Sequence, residues 1–381
     1  MFVVIFVVSL IFSIMFHEFG HYITAKAFGM KVEKFFLFFG PTLWSFRKGD
    51  TEYGVKALPL GGFVKIVGMS ASEPIDPADQ GRTFYEQPAW QRAIVLSAGS
   101  FTHFVLAAIL IFAALTLIGL PQPPEAELDV VLADSPGAEA GLKAGDRIVA
   151  VDGEPVSSFA QVRDAIAASE GRPMTFRIER NGEQADYEIT PSITERPDGT
   201  RGPFVGVGPK VVIAPVPPGE ALRQTLVGED SVASITVQNI KGLGTALSPA
   251  SLSRWFSQVG EPGPRSVDGP VSPVGIGQMV NALGRAGEIF NLLYLLALLN
   301  ITLGTLNMLP LPPLDGGHLA VLVIERVVNA VRGLRGRSAD WHLNPSVILP
   351  VTLVVIAFFL VLSLTALYVD IVKPASQLLE Q

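Results

Sequence analysis

The sequence contains no cysteine among its 381 residues, and few of its residues are charged. Without cysteine, the chain has no disulfide, no thiolate nucleophile and no cysteine ligand for a metal. Charged residues make up 17% of the chain and hydrophobic residues 49%, whereas soluble domains average about 25% charged residues. The formal net charge of -7 gives no basic surface that would indicate nucleic acid as a partner. The composition favours a membrane protein, and any metal in it needs nitrogen and oxygen ligands.

Four hydrophobic runs reach the length of about 20 residues that a membrane-spanning helix needs. They cover residues 1–28, 93–120, 289–309 and 347–369. The first run has no basic start and contains His and Glu, so we expect it to be retained rather than removed as a signal peptide. The sequence therefore predicts a polytopic α-helical membrane protein with four transmembrane helices.

Lysine and arginine concentrate in the two loops that connect spans one to two and spans three to four. The positive-inside rule places these loops in the cytoplasm and both termini outside. We therefore expect a multi-pass protein of the inner (plasma) membrane, with the long region between spans two and three on the extracytoplasmic side. The basic residues are Lys31, Lys34, Arg47, Lys48, Lys56, Lys65 and Arg82 in one loop, and Arg326, Arg332, Arg335 and Arg337 in the other.

Residues 124–212 have the pattern of a compact α+β domain. Short strands are predicted at 147–151, 175–178 and 187–189, and Gly-containing hairpin turns at 152–153 and 181–182. One helix is predicted at 159–168. The stretch Gly-Leu-Lys-Ala-Gly-Asp-Arg-Ile at 141–148 resembles PDZ domains of the bacterial type. PDZ domains commonly bind peptide ends by strand addition, but we interpret the glycines and Asp146 as turn residues. Whether this domain binds a ligand stays open.

The segment 213–288 is rich in Gly, Pro and Ser. We predict a linker along the outer membrane face, with an amphipathic helix from about Pro218 to Leu247. The chain then divides into four parts. These are 1–120 with two transmembrane helices, 121–212 with the extracytoplasmic PDZ-like domain, 213–288 with the linker, and 289–381 with the last two transmembrane helices.

His17-Glu18-Phe19-Gly20-His21 lies in the first hydrophobic run and has the pattern H-E-x-x-H. On a helix, residues i and i+4 lie on one face, so both imidazoles can bind one ion, with Glu18 beside them as general base. The motif follows about 24 Å of uncharged helix, where ionisable groups are costly and need a partner. We predict a zinc site with His17 and His21 as ligands, rather than polar residues on an exposed helix face.

A catalytic zinc takes three protein ligands and keeps a fourth position open. His103, His318, His342 and carboxylates near the third span are candidates for the third ligand, although His342 lies in a polar loop. Residues 307–318 contain three prolines and two glycines, which cannot continue a helix. Unwound backbone at membrane depth must be buried or line a cavity, and here it would present Asp315 to the metal. The alternative is that Asp315 only caps the helix that follows.

Together these motifs resemble the site-2 proteases, which are intramembrane zinc metalloproteases. The resemblance includes H-E-x-x-H, Asn-x-x-Pro-x-Pro-x-Leu-Asp-Gly at 307–316, and shorter stretches at 40–42, 58–64 and 269–272. The PDZ-like insert and the four spans are similar to the bacterial regulator-of-sigma-E-protease type, which cuts membrane-bound anti-sigma factors.

The resemblance implies roles for individual residues. His17, His21 and Asp315 would bind Zn²⁺, Glu18 would be the base, and Asn307 would position the substrate. Residues 43–66 would form a membrane-associated β-hairpin, with strands at about 43–46 and 51–57 and an edge that holds unwound substrate.

One element departs from the family pattern. Many members have a Gly-Pro-x-x-Asn-like element at the start of the second span, where this chain has Gly99-Ser-Phe-Thr-His103. We expect His103 to be hydrogen-bonded inside the bundle; the alternatives are that it takes the polar role of that Asn or contacts a residue that binds the metal. We expect His318 to be structural or to contact a metal ligand rather than to bind the metal itself.

The resulting hypothesis is hydrolysis of peptide bonds in or near the transmembrane segment of single-span membrane proteins within the lipid bilayer. Anti-sigma factors already cut outside the membrane are the substrates that the resemblance implies. One alternative is a membrane adaptor that binds protein tails through the PDZ-like domain and has an inactive metal site. A metal or ion transporter would be expected to have repeated halves, which the sequence lacks.

Overall fold

The computed structural model describes residues 1–69, 73–195, 200–259, 269–338 and 341–379. Its helices are α1 (Phe2–Ala27), α2 (Ala89–Ala113, continued by a π-helical turn at Ala114–Ile118), α3 (Pro136–Glu139), α4 (Phe159–Ala168), α5 (Pro218–Val227), α6 (Val232–Ala246), α7 (Pro249–Gln258), α8 (Pro273–Ala286), α9 (Ile289–Asn307), α10 (Asp315–Leu334) and α11 (Pro345–Val372). Its strands are β1 (Val32–Lys48), β2 (Thr51–Ile66), β3 (Leu120–Pro121), β4 (Leu128–Val131), β5 (Arg147–Val151), β6 (Glu154–Pro155), β7 (Met174–Arg180), β8 (Glu183–Ile189), β9 (Ser192–Glu195), β10 (Arg201–Phe204), β11 (Val207–Pro209) and β12 (Ile213–Ala214).

Four helices are long and apolar enough to cross a membrane. They are α1, α2 with its π-helical turn, α9, and residues Ser346–Val372 of α11. These are the four spans that the hydrophobic runs predict. The chain separates into two compact units, residues 1–114 with 218–381, and residues 115–217.

In the first unit, α2 is the central helix and packs against α1, α9 and α10. The contact between α1 and α2 depends on Gly20, because a Cβ there would lie 2.6 Å from the Ala98 carbonyl oxygen. Small residues allow such close helix approach in membranes. This approach brings the second half of α1 against the segment of α2 that follows Val95.

Strands β1 and β2 form a folded hairpin rather than the short hairpin predicted within residues 43–66. Residues 34–37 pair with 62–65 on one side and with 52–55 on the other, while residues 44–48 pair with 51–55. Positive φ angles at Phe38 (70°) and Gly40 (84°) turn β1 back on itself. The result is a four-segment sheet that begins at Val32, with residues 62–66 and 42–48 at its edges.

The second unit contains the PDZ-like region. A four-stranded sheet in the order β6-β5-β7-β8 packs on α4, which begins at a capping box formed by Ser158 and Gln161. Its core includes Val162 and Phe176, both fully buried. Asp146 is buried and accepts hydrogen bonds from the Lys143 backbone at 2.8 Å and from the Arg180 side chain. This agrees with its interpretation as a turn residue.

The prediction of one amphipathic helix from Pro218 to Leu247 was wrong. The structure has two helices, α5 and α6, separated at 228–231, where Ser231 caps α6 and accepts a hydrogen bond from the Ser234 backbone. The capping serine supplies an acceptor that a continuous helix would not use. Two more helices, α7 and α8, follow, and α6 is fastened to α9 by Asn239, which donates to Thr302 Oγ1 at 2.7 Å. The described residues of the segment 213–288 are therefore largely helical, with four helices in place of the single one predicted.

Candidate metal centre

Two histidines lie one turn apart on α1 and direct their Nε2 atoms to one point. The two Nε2 atoms are 3.2 Å apart. His21 Nδ1 lies 2.7 Å from the carbonyl oxygen of Val95 on α2. A carbonyl only accepts, so Nδ1 carries the proton and Nε2 keeps its lone pair for a metal.

Asp315, nearly 300 residues later, meets these two imidazoles. Its Oδ2 lies 3.3 Å from His17 Nε2 and 3.4 Å from His21 Nε2. Asp315 is the first residue of α10, whose N-cap is Leu314 and has no side-chain capping bond. Asp315 therefore does not cap α10, because Leu314 occupies the cap position and the Asp315 carboxylate faces the two histidines.

The distances among the three donor atoms fit a tetrahedral ion. Zinc bonds of about 2.0–2.1 Å at tetrahedral angles separate neighbouring ligand atoms by about 3.3–3.4 Å, and the three atoms are 3.2–3.4 Å apart. Burial raises the pKa of the Asp315 carboxyl, but its interactions with His17 and His21 outweigh burial and hold the pKa below its usual value. The carboxylate is thus an anionic oxygen donor. This N,N,O donor set suits zinc.

Helix α2 leaves space for the ligands at Gly99. A Cβ at Gly99 would overlap His21 Nε2 and lie 2.7 Å from His17 Nε2. The next residue, Ser100, is buried and its hydroxyl lies 3.5 Å from Asp315 Oδ2. One turn of α2 therefore borders all three predicted ligands.

Glu18 lies between the histidines and the folded hairpin. It is half-buried, and a Cβ at Gly62 would lie 3.3 Å from Glu18 Cγ. The backbone of Val64 contacts the Glu18 carboxyl group. Glu18 therefore lies against the edge segment 62–66 of the sheet.

A third histidine lies behind the centre. The ring of His103 is 5.1 Å from the ring of His17, and its Nδ1 lies 3.0 Å from Asn300 Oδ1. Asn300 donates its own amide to the Leu296 carbonyl at 2.8 Å, so its oxygen accepts and His103 Nδ1 carries a proton. Both side chains are buried. His103 is thus hydrogen-bonded within the bundle, in agreement with its prediction.

His318, His342 and Asn307 are not among the three donors. His318 lies on the first turn of α10 and is exposed, and His342 Nδ1 pairs with Glu325 at 3.5 Å. Asn307 is the last residue of α9. Among the described residues, His17, His21 and Asp315 form the single cluster of three or more His and acidic side chains that could hold a metal ion.

Sequence reasoning missed Asn300, Gly99 and Ser100. Asn300 carries a signal, because a polar side chain inside a long apolar run needs a partner. Gly99 and Ser100 lie in the element that departs from the family pattern, but nothing in that element indicates their contacts with the donors, which lie on other helices.

A bundle of apolar helices that carries an N,N,O donor set beside a second carboxylate is the arrangement expected of a membrane metallohydrolase. The model of peptidase family M50 matches residues 5–343. The zinc metalloprotease Rip1 of Mycobacterium tuberculosis is 35% identical over 401 residues, covering 98% of this chain and 97% of that protein. Rip1 of Mycolicibacterium smegmatis is 33% identical, covering 98% of both chains. The chain belongs to peptidase family M50, the site-2 proteases, and is a zinc-dependent membrane metalloprotease.

A comparison of structures matches part of the chain. The PDZ domain of the SdrC-like protein from Listeria innocua covers 22% of this chain and 92% of its own, with 23% identity and a TM-score of 0.20. The PDZ domain of the SdrC-like protein from Listeria monocytogenes covers 24% of this chain and 90% of its own, with 22% identity and a TM-score of 0.20.

Proposed function

We propose that this protease cuts single-span membrane proteins in or near their transmembrane segments, using His17, His21 and Asp315 as zinc ligands and Glu18 as general base. The observation that carries the proposal is the meeting of these three side chains at 3.2–3.4 Å beside Glu18. Two of them lie on a helix apolar enough to span the membrane. Buried ionisable groups on such a helix need a common partner.

The chain's own residues provide binding, orientation and proton transfer. Bound zinc supplies Lewis acidity and a nucleophile at neutral pH. Glu18 accepts at its carboxylate a proton from the water that attacks the peptide carbonyl, and it returns this proton to the leaving amine. Val95 fixes the tautomer of His21 through its carbonyl, and Ser100 lies within 3.5 Å of the Asp315 carboxylate. Gly99 keeps the space open.

The edge segment 62–66 is suited to hold the substrate. Residues 62–65 pair with 34–37 on one side, and no further strand in the described part of the chain pairs with the other side. A helical substrate must lose its internal hydrogen bonds before it is cut, and a free strand edge next to Glu18 replaces them. Asn307, at the end of α9, would position the unwound substrate.

The folded hairpin is proposed to enter the membrane. Its outer part exposes large apolar side chains, and basic residues follow them at the turn. Exposed apolar side chains beside lysine and arginine are typical of membrane interfaces. The exposed residues are Phe39, Leu43, Trp44, Phe46 and Leu58.

We place the protein in the inner membrane, with the PDZ-like region, assigned to residues 121–212, outside and the loops rich in Lys and Arg in the cytoplasm. Excess Lys and Arg in these loops supports this orientation. The PDZ-like region would admit substrates already shortened outside, among which anti-sigma factors are our proposal.

Topology is testable because the chain has no cysteine. Ser157→Cys and Ser338→Cys introduce unique thiols at exposed positions. A membrane-impermeant thiol reagent should label intact cells through Ser157→Cys, and should reach Ser338→Cys only after permeabilisation. The reverse result contradicts the orientation.

Glu18→Gln tests the proposed mechanism. It should abolish cleavage of a membrane-spanning reporter while zinc stays near one ion per chain, because Gln cannot accept the proton. Glu220→Gln, which changes a half-buried carboxylate on α5, is the matched control and should leave cleavage unchanged. If Glu18→Gln retains full turnover, the role of Glu18 is wrong. An adaptor with an inactive metal site predicts that the unaltered protein cleaves nothing.

A further inference from the structure

Helix α10 has an exposed apolar stripe along its second half. At 100° per residue, five apolar side chains fall within an arc of about 100°. All five are exposed, from 41% for Val331 to 89% for Leu334. They are Val323, Ile324, Val327, Val331 and Leu334. A stripe of this width is typical of a helix that buries one face.

The opposite face of α10 packs against the protein. Leu322 is 6% exposed and belongs to the core shared with α1 and α2. Glu325 is 2% exposed, and its carboxylate lies 4.0 Å from Arg92 on α2. It also accepts a hydrogen bond from the Leu343 backbone at 3.1 Å. The apolar stripe therefore faces away from the bundle.

Arginines border the stripe. By the same helical angles, Arg326 lies on one margin and Arg335 on the other, and Arg337 follows the end of the helix. All three are exposed. Glu325 is the single acidic residue between 319 and 338, and it is buried. The exposed surface is consequently apolar in the middle and positive at its margins and its end.

We propose that α10 lies in the interface of an anionic membrane leaflet, with its stripe among acyl chains and its arginines on lipid phosphates. Apolar side chains flanked by arginine are the pattern of interfacial helices, since long cationic side chains reach from apolar surface to the headgroups. Helix α10 connects two helices that are able to span the membrane, α9 and α11, so lipid is its immediate neighbour. Juxtamembrane arginines are drawn to anionic lipids.

The interfacial position of α10 has a consequence for the metal centre, and this consequence rests on the proposed function. Asp315 is the first residue of α10. The membrane surface would therefore hold the same helix that carries one predicted zinc ligand.

The experiment measures the depth of spin labels on the full chain in lipid nanodiscs. Val327→Cys and Val331→Cys place single labels on the stripe, because the chain has no other cysteine. Gly333→Cys, exposed and outside the stripe, and Ser338→Cys, exposed beyond the helix, are matched controls. Stripe labels should collide readily with oxygen and severalfold less with a water-soluble nickel chelate than both controls. Equal nickel accessibility at all four positions overturns the proposal.

Lipid charge tests the arginines. Nanodiscs of phosphatidylglycerol with phosphatidylcholine should hold the stripe labels deeper than phosphatidylcholine alone, and Arg335→Gln with Arg337→Gln should remove this difference. The same depth in both lipids overturns the anionic part of the proposal. Spin–spin broadening at Val327→Cys identifies a second copy of the chain on the stripe and overturns the lipid assignment. Neither measurement depends on zinc or on cleavage, so the result stands apart from the proposed function.

Discussion

Gly99→Ala is the sharpest test of how the metal centre is built. The added methyl group would overlap His21 Nε2 and lie 2.7 Å from both Nε2 and Cε1 of His17. Carbon and nitrogen atoms in contact normally lie about 3.5 Å apart, so the imidazoles must retreat by roughly 1 Å. The rings sit at the ends of side chains and are able to move without unfolding α1.

The expected cost falls on zinc binding rather than on folding. Ligand distances in a zinc site hold to about 0.2 Å, so a shift of roughly 1 Å removes at least one nitrogen ligand. Loss of a residue that only supports a ligand costs 10–100-fold in metal affinity, so loss of the ligand itself should cost at least about 100-fold, or ~2.7 kcal/mol. The helix itself should gain up to ~1 kcal/mol from replacement of a glycine by alanine.

The assay combines zinc content of the purified protein, zinc affinity by chelator competition and thermal unfolding in detergent. Gly99→Ala should lose zinc and reporter cleavage yet keep the unfolding midpoint of the zinc-free protein. Gly242→Ala, in α6 with open space around it, is the control and should keep both zinc and reporter cleavage. Normal zinc affinity in Gly99→Ala would refute the placement of the donors beside α2.

Two further predictions concern buried polar contacts. Asn300→Leu leaves His103 Nδ1–H without its acceptor, which should destabilise the protein by about 1–3 kcal/mol and lower its zinc affinity. Asn300→Asp restores an acceptor and should recover both stability and zinc affinity. Unchanged zinc affinity in Asn300→Leu contradicts a role of the His103–Asn300 hydrogen bond in the metal centre. Burial raises the pKa of Asp146, but its bonds to Arg180 and Lys143 outweigh burial and lower it, so its stabilising contribution is complete above the unfolded pKa of about 4. The protection factors of the β5 amides, which are corrected for the intrinsic exchange rate at each pH, should fall in the full chain as pH drops below that value, and less so in Asp146→Asn. An equal loss of protection in both proteins contradicts this.

The sequence alone predicts the three donors, because each of them lies in a stretch with a local signal. The H-E-x-x-H spacing puts two imidazoles on one helix face, and prolines around 310–313 end α9 before Asp315. Nothing local determines that α1 and α10 meet across α2, which depends on the close approach allowed by Gly20 and on the space left at Gly99. The close approach at Gly20 and the space at Gly99 are properties of pairs of packed helices. The hydrophobic periodicity of a single helix does not reveal them.

The hairpin and the segment after the PDZ-like unit were predicted less well for different reasons. Alternation in residues 43–57 indicates strands, but the reversals near Phe38 and Gly61 depend on positive φ angles and on pairing between segments distant in sequence. In 213–288, glycine and serine were interpreted as loop residues, whereas Ser231, Ser248 and Ser272 cap helices that pack on other elements. Tertiary contacts stabilise these helices more than their composition suggests.

The separation of the ligands along the chain makes completion of the centre a late event in biosynthesis. Both histidines of α1 leave the ribosome near the start of synthesis, and the carboxylate follows about 290 residues later, roughly 15–60 s at 5–20 residues per second. During this interval Glu18 and both imidazoles are present without Asp315, the proposed third ligand. With the proposed ligand set, the protein would acquire full metal affinity only when α10 docks beside α2, so a truncated or stalled chain would carry an incomplete centre.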